Sequence, residues 1–189
     1  MLIRVVSFLL EFLFFVLIAA ALLRAWMNWL RINMRTQPGI FVMAVTDWLV
    51  KPMRRAIPAT MAKSRVDSAS LMAALVLALA YGFLWALMIA AFADSAGLMT
   101  FATPFALLGI LGVALKMLIR VVLQGLFFVV LAFAVLSWVQ PGSAVHHQLG
   151  RLIDPLIAPI RRVVPSIGGL DLSALFLMLI LQIGLMLLG

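Results

Sequence analysis

Asp47-Trp48-Leu49-Val50-Lys51-Pro52-Met53-Arg54-Arg55-Ala56-Ile57-Pro58 returns 107 positions later as Asp154-Pro155-Leu156-Ile157-Ala158-Pro159-Ile160-Arg161-Arg162-Val163-Val164-Pro165. The shared form is Asp-x4-Pro-[Met/Ile]-Arg-Arg-x-[Ile/Val]-Pro, with five of twelve positions identical and in register. Each copy sits between long apolar stretches. The chain therefore reads as a tandem duplication. Its unit is an apolar helix, a basic Pro-Arg-Arg segment and a second apolar helix.

Composition sets the solvent. Of 189 residues 67% are hydrophobic and 11% charged, where a soluble domain carries about 25% charged residues. Mean hydropathy is +1.26. This is the profile of an all-α membrane protein. Fourteen Lys and Arg stand against six Asp and Glu, a net charge of +8. In a membrane chain that surplus points to cytoplasmic loops and anionic phospholipid. It does not point to nucleic acid, because the basic residues flank apolar spans. With no cysteine, disulfides, thiolate metal sites and cysteine nucleophiles are excluded.

Four apolar runs are long enough to cross: 5–23, 71–93, 121–139 and 172–188. At 1.5 Å per residue each reaches roughly 25–35 Å. The first has the look of a signal sequence, but it outlasts the usual core of about 7–15 residues and reads as a retained helix. A fifth run, 105–115, is too short to span by itself. It reads as a re-entrant or interfacial segment, or as an extension of the third helix. Extended back to Leu98 it could cross, which gives a rival five-span reading.

Charge decides between the two. Residues 24–67 hold eight Lys and Arg, and residues 94–104 hold none. The positive-inside rule puts the first stretch in the cytoplasm and the second outside. Four spans keep both duplicated basic segments on one side, with both termini outside. The expected organisation is a first repeat over 1–93, a connection over 94–118 carrying the re-entrant or interfacial segment, and a parallel second repeat over 119–189.

Aligning the first helix of each repeat pairs Asn28-Trp29 with Ser137-Trp138 at a shift of 109. Tryptophan favours the membrane–water boundary, so both pairs mark the inner face. Arg24 then lies one turn within the hydrocarbon and is expected to snorkel to the headgroups. Glu11 and Arg120 fall at equivalent depth near the outer face. They either approach one another or reach headgroups separately. Ser70, Ala74, Ala78, Gly82, Ala86 and Ala90 form a small-residue stripe suited to close helix packing within the chain, or to a homo-oligomer. Gln124 and Gln182 lie within spans and are expected to bond across helices.

Pro52, Pro58, Pro159 and Pro165 are expected to break any helix through either motif. Apolar segments lying along the inner surface precede each break. Arg54, Arg55, Arg161 and Arg162 could grip phosphate oxygens in a bidentate fashion. Asp67 and Asp171, each followed by serines, look like helix N-caps. Asp47, Asp154, Asp67 and Asp171 thus serve as ion pairs and caps, or belong with the arginines to a surface for lipid headgroups or a protein partner. His146 and His147 are adjacent, so on a helix they diverge and do not chelate. No catalytic constellation, metal site or cofactor signature can be built, which argues against an enzyme.

Several stretches resemble the YggT family. They are Arg24-x4-Trp29, Gln37-Pro38, the Asp47 to Pro58 motif and Asp67-Ser68-Ala69-Ser70. A second and closer set is Ser137-Trp138, the Asp154 to Pro165 motif and Gly168-Gly169-Leu170-Asp171-Leu172-Ser173. The first copy departs at Trp48, where the second has Pro155, and in its longer link from Pro58 to Asp67. The resemblance implies a small multi-pass protein of the bacterial inner membrane with no defined enzymatic activity. It also implies links to osmotic or ionic stress tolerance, and through the YlmG relatives to cell division. On that basis the expected function is a non-catalytic scaffold or assembly factor for other integral membrane proteins. The alternative is an ion or small-solute transporter or channel subunit.

Overall fold

The computed structural model describes residues 1–36, 38–56, 67–92, 104–140, 142–162 and 172–189. Among them are six helices and no strand: α1 (Leu2–Trp29), α2 (Gly39–Ala56), α3 (Ser68–Phe92), α4 (Pro104–Val139), α5 (Ala144–Arg161) and α6 (Leu172–Leu188). Three stretches, Ile3–Trp29, Ser68–Ala91 and Ala106–Val139, are long and apolar enough to cross a membrane. Leu172–Leu188 is apolar but shorter. The chain is an all-helical membrane protein.

Packing follows the element order. α1 contacts α2 and α3, α4 contacts α5 and α6, and α1 and α4 touch in the middle. α2 also packs on α3, α5 on α6, and α3 on α4. One core joins Phe14, Ile18 and Ala21 of α1 to Ala74, Ala78 and Tyr81 of α3 and to Ala114, Met117 and Val121 of α4. A second gathers Met27 and Ile32 with Val130, Phe133, Leu152, Ile153, Ile157 and Leu177. Lipid is as apolar as leucine, so close van der Waals contact, not water exclusion, drives the spanning helices together. Gly82 shows how close that contact is. A Cβ built there would lie 2.6 Å from the Ile110 carbonyl oxygen, so only glycine lets α4 approach α3 at that level. The stripe on α3 faces inward: Ser70, Ala74, Ala78, Gly82 and Ala90 are buried and Ala86 half-buried.

α2 and α5 are amphipathic. α2 buries Val42, Thr46 and Val50, spaced at four residues. α5 buries Leu149, Leu152, Ile153 and Ile157 and opens on Ser143, whose hydroxyl accepts the His146 N–H at 3.1 Å.

Four expectations are corrected. Pro52 lies within α2, and Pro155 and Pro159 lie within α5. All three are exposed, so the carbonyls they leave without an N–H, at i−4, sit on the outward face where water or headgroups can reach them. Pro58 and Pro165 lie outside the described residues. The apolar run 105–115 is neither re-entrant nor separate; the remaining reading, an extension of the third helix, holds, and the run forms the first turns of the 36-residue helix α4. Nothing between Leu115 and Val121 stops a helix, and α3 packs against these turns at Gly82. Arg24 does not snorkel. It is 7% exposed, and its guanidinium is held inside the protein. Gln182 faces outward and makes no hydrogen bond among the described residues.

Candidate docking surface at the basic end of the bundle

The surface is built on α2 and α5, and three contacts set these helices at one end of the bundle. Arg24 near the end of α1 donates from one guanidinium nitrogen to Asp47 Oδ1 at 2.7 Å and Thr46 Oγ1 at 2.8 Å on α2. Trp26 Nε1 donates to the Leu152 carbonyl of α5 at 3.0 Å. Gln148 Nε2 donates to Thr36 Oγ1 at 2.8 Å, tying the start of α5 to the α1–α2 turn.

Within this frame each motif divides its charges. Arg54 bridges to Asp67 at 2.8 Å, and Asp67 also accepts from the Ser70 hydroxyl at 2.9 Å and the Ser70 N–H at 3.4 Å. Asp67 therefore caps α3 and fastens α2 to it. Burial pushes its carboxyl up, but the bonds from Ser70 and the neighbouring Arg54 outweigh that, and its pKa falls below the ordinary value. Asp47 serves Lys51 at 2.8 Å as well as Arg24. The hydrogen bonds from Lys51 and Arg24 lower its pKa too. In the second motif Asp154 meets Arg161 at 3.7 Å, and both side chains are about half exposed or more, 66% and 46%. Asp171 lies outside the described residues.

Arg55 and Arg162 are different. Both are exposed, and neither forms an ion pair among the described residues. Arg55 belongs to the last turn of α2 and Arg162 caps α5. Cations are favoured there by the partial negative charge of a helix C-terminus. Each guanidinium retains five N–H donors in a fixed fork, the geometry that meets phosphate or carboxylate.

The outward faces of the two helices are unlike. At the shift of 107, Ile40, Ala44 and Trp48 of α2 correspond to His147, Arg151 and Pro155 of α5. Ile40 and Trp48 are exposed, as is Phe41 beside them. His147, Arg151 and Pro155 are exposed as well. α2 thus shows an aromatic, apolar stripe where α5 shows a polar one.

At the other end of the bundle Arg120 donates to Glu11 Oε1 at 2.5 Å and to the Gly189 carbonyl at 2.9 Å. The structure brings those two sequence-selected residues together across α1 and α4. It also shows a contact that sequence reasoning missed, in which buried Arg24 and Thr46 meet half-buried Asp47. The available signal was a lone arginine inside an apolar run with an acid on the following amphipathic segment. The second half has no counterpart: Phe133 takes the place of Arg24 at the shift of 109 and stacks on His146 at 4.8 Å.

Comparison with known proteins places this architecture. A family model described as CCB3/YggT matches residues 2–88 and 112–189. The chain belongs to the CCB3/YggT family. It is 36% identical over 184 residues to an uncharacterized protein of the proC 3′ region in Vibrio alginolyticus, covering 97% of this chain and 92% of that one. It is 34% identical over 163 residues to the uncharacterized protein YggT of Escherichia coli K12, covering 86% and 77%. An uncharacterized protein of Haemophilus influenzae is 26% identical over 161 residues, covering 85% and 78%. No solved structure matches the chain significantly. The family's two matched segments each contain one Pro-Arg-Arg motif and leave out most of the connection between them.

Proposed function

We propose that this family member is a non-catalytic scaffold or assembly factor of the bacterial inner membrane, crossing it four times as two parallel repeats with both termini outside. Its basic end would face the cytoplasm, anionic phospholipid and other integral membrane proteins. The observation that carries this reading is the division of labour in the first motif. Arg54, itself about half exposed, is engaged by the buried carboxylate of Asp67, whereas Arg55, and Arg162 from the second motif, are exposed at the same end of the bundle and form no ion pair among the described residues. A structural role accounts for the first and not for the other two. Links to osmotic stress tolerance or division rest on family resemblance.

Transport is less well supported. The groove between α1 and α4, where a path between repeats would run, is lined by hydrocarbon side chains, and a hydrated ion needs polar groups there. Crosslinking and mass spectrometry of native membranes tests the proposal. A defined membrane protein should be recovered with the wild-type chain and lost with Arg55→Ala plus Arg162→Ala, while the variant keeps its melting temperature. Ion flux through liposomes holding this chain alone, with no partner recovered, would reverse the assignment.

A further inference from the structure

A groove of about 630 Å³ opens between α1 and α4, within the range of roughly 300–1,000 Å³ typical of ligand sites. Its long walls are Ala19, Leu23 and Trp26 on α1 and Val122, Gly125 and Val129 on α4. Every lining side chain is apolar except for the indole N–H groups, and the Trp26 N–H is already engaged by the Leu152 carbonyl. Gly125 lines the groove with open space above it, since a Cβ there would meet nothing within 4 Å.

The mouth differs from the walls. Trp29, Pro38 and Phe41 line that end. Arg31 follows Trp29 by two residues and Arg35 precedes Pro38 by three; both arginines are exposed and form no ion pair among the described residues. Arg31 also holds φ +52°, a left-handed conformation that a helix end normally gives to glycine. A residue other than glycine is strained there, and such an outlier is a pointer to function.

The geometry points to a bound anionic phospholipid, with one acyl chain lying in the α1–α4 groove and its phosphate held by Arg31 and Arg35. A dry hydrocarbon wall rejects polar ligands, and the fork of donors on a guanidinium suits a phosphate. From Phe15 to Trp29 the groove follows α1 for about 20 Å. An extended hydrocarbon chain can lie along that length, over the open floor at Gly125. The site is separate from Arg55 and Arg162 and stands whether or not they bind a partner.

The test uses the full chain in vesicles of phosphatidylcholine and phosphatidylglycerol, with a trace of phosphatidylglycerol carrying a diazirine in one acyl chain. Photolabel should fall on residues 122–129 several-fold more heavily than on the outward face of α6 at Leu175, Leu179 and Ile183, which contacts bulk lipid. Gly125→Trp should cut the groove label at least threefold and leave the α6 label unchanged. Ala19→Phe serves the same purpose should the first variant fail to fold. Arg31→Gln plus Arg35→Gln should abolish preference for the phosphatidylglycerol probe over its phosphatidylcholine analogue. Equal labelling of groove and α6 in the wild-type chain would mean ordinary bilayer contact and would overturn the proposal. So would crosslinks across the groove to a second copy or another protein's helix.

Discussion

Arg24 shows where a single residue outran the sequence argument. A cation one turn inside a span has two outlets: headgroups, or a partner within the protein. Depth along the helix points to the first, but rotation about its axis decides, and rotation is set by packing against α2. The observed partner, Asp47, stands 23 positions away, beyond the reach of helical periodicity. Asp47→Ala strands the charge of Arg24, a residue 7% exposed; with Asp47 itself 30% exposed, the cost should fall at about 2–3 kcal/mol, below that of breaking a fully buried pair. Asp154→Ala, at the same place in the second motif, should cost under about 1 kcal/mol, because its pair is long and exposed. Thermal melting of both variants in one detergent checks the contrast. Acid adds a second prediction. The folded carboxyls of Asp47 and Asp67 titrate below their ordinary value, so each contributes stability that is complete above the unfolded pKa, about 3.9. That contribution is lost as pH falls through the lower, folded value. Melting temperature should hold nearly level from pH 7 to about 5 and fall steeply below about 4. Asp67→Asn should lower the plateau and flatten the fall. An unchanged profile in that variant would remove Asp67 from the account.

The elements were legible in proportion to how far hydropathy alone specifies them. The apolar run 172–188 coincides with the helix α6, and the two amphipathic segments appear as α2 and α5. Length was harder. Window hydropathy finds where a chain can be buried, not where a helix stops, and α4 continues through 105–115 because no residue there ends it. The prolines misled for a related reason. A proline breaks a helix when the freed carbonyl is trapped, and at Pro52, Pro155 and Pro159 it faces outward. The stripe on α3 gave the packing face correctly because small residues at a spacing of four define a face outright. That packing makes a signed prediction. Alanine normally stabilises a helix by roughly 0.5–1 kcal/mol relative to glycine, and Gly109→Ala, with nothing within 4 Å of its Cβ, should show that gain. Gly82→Ala should instead lower the melting temperature, since its methyl would meet the Ile110 carbonyl oxygen and force α3 and α4 apart. Equal shifts in the two variants would refute the close approach.

For the whole molecule the duplicated motif implies a sidedness that the contacts make concrete. α2 and α5 are bound to each other's neighbourhood through Trp26–Leu152 and Thr36–Gln148, so Arg55 and Arg162 occupy one end. Glu11 and Arg120 meet near the other. The contacts also show what the sequence difference between the halves does. Aligned motifs suggest equal elbows, yet Arg24 gives way to Phe133, and the apolar stripe of α2 gives way to His147 and Arg151. α2 is therefore suited to lie deeper in the headgroup region than α5, with Trp48 and Phe41 in the interface. α4 adds a constraint. Its 36 residues extend about 54 Å, well past a hydrocarbon core of about 30 Å. Tilts run to about 40° and absorb only part of the excess. The first turns of α4 then lie beyond the hydrocarbon on the side away from Arg55, with Lys116 near its edge beside the C-terminal Gly189. The chain has no cysteine, so single cysteines report position without interference. Arg55→Cys and Arg162→Cys should react with a membrane-impermeant maleimide only in inside-out vesicles, and Lys116→Cys only in right-side-out ones. Reaction of positions 55 and 162 from opposite faces would mean that the basic ends do not share a leaflet. A fivefold crossing would then have to replace the fourfold one, despite the bonds that join α1 to α5.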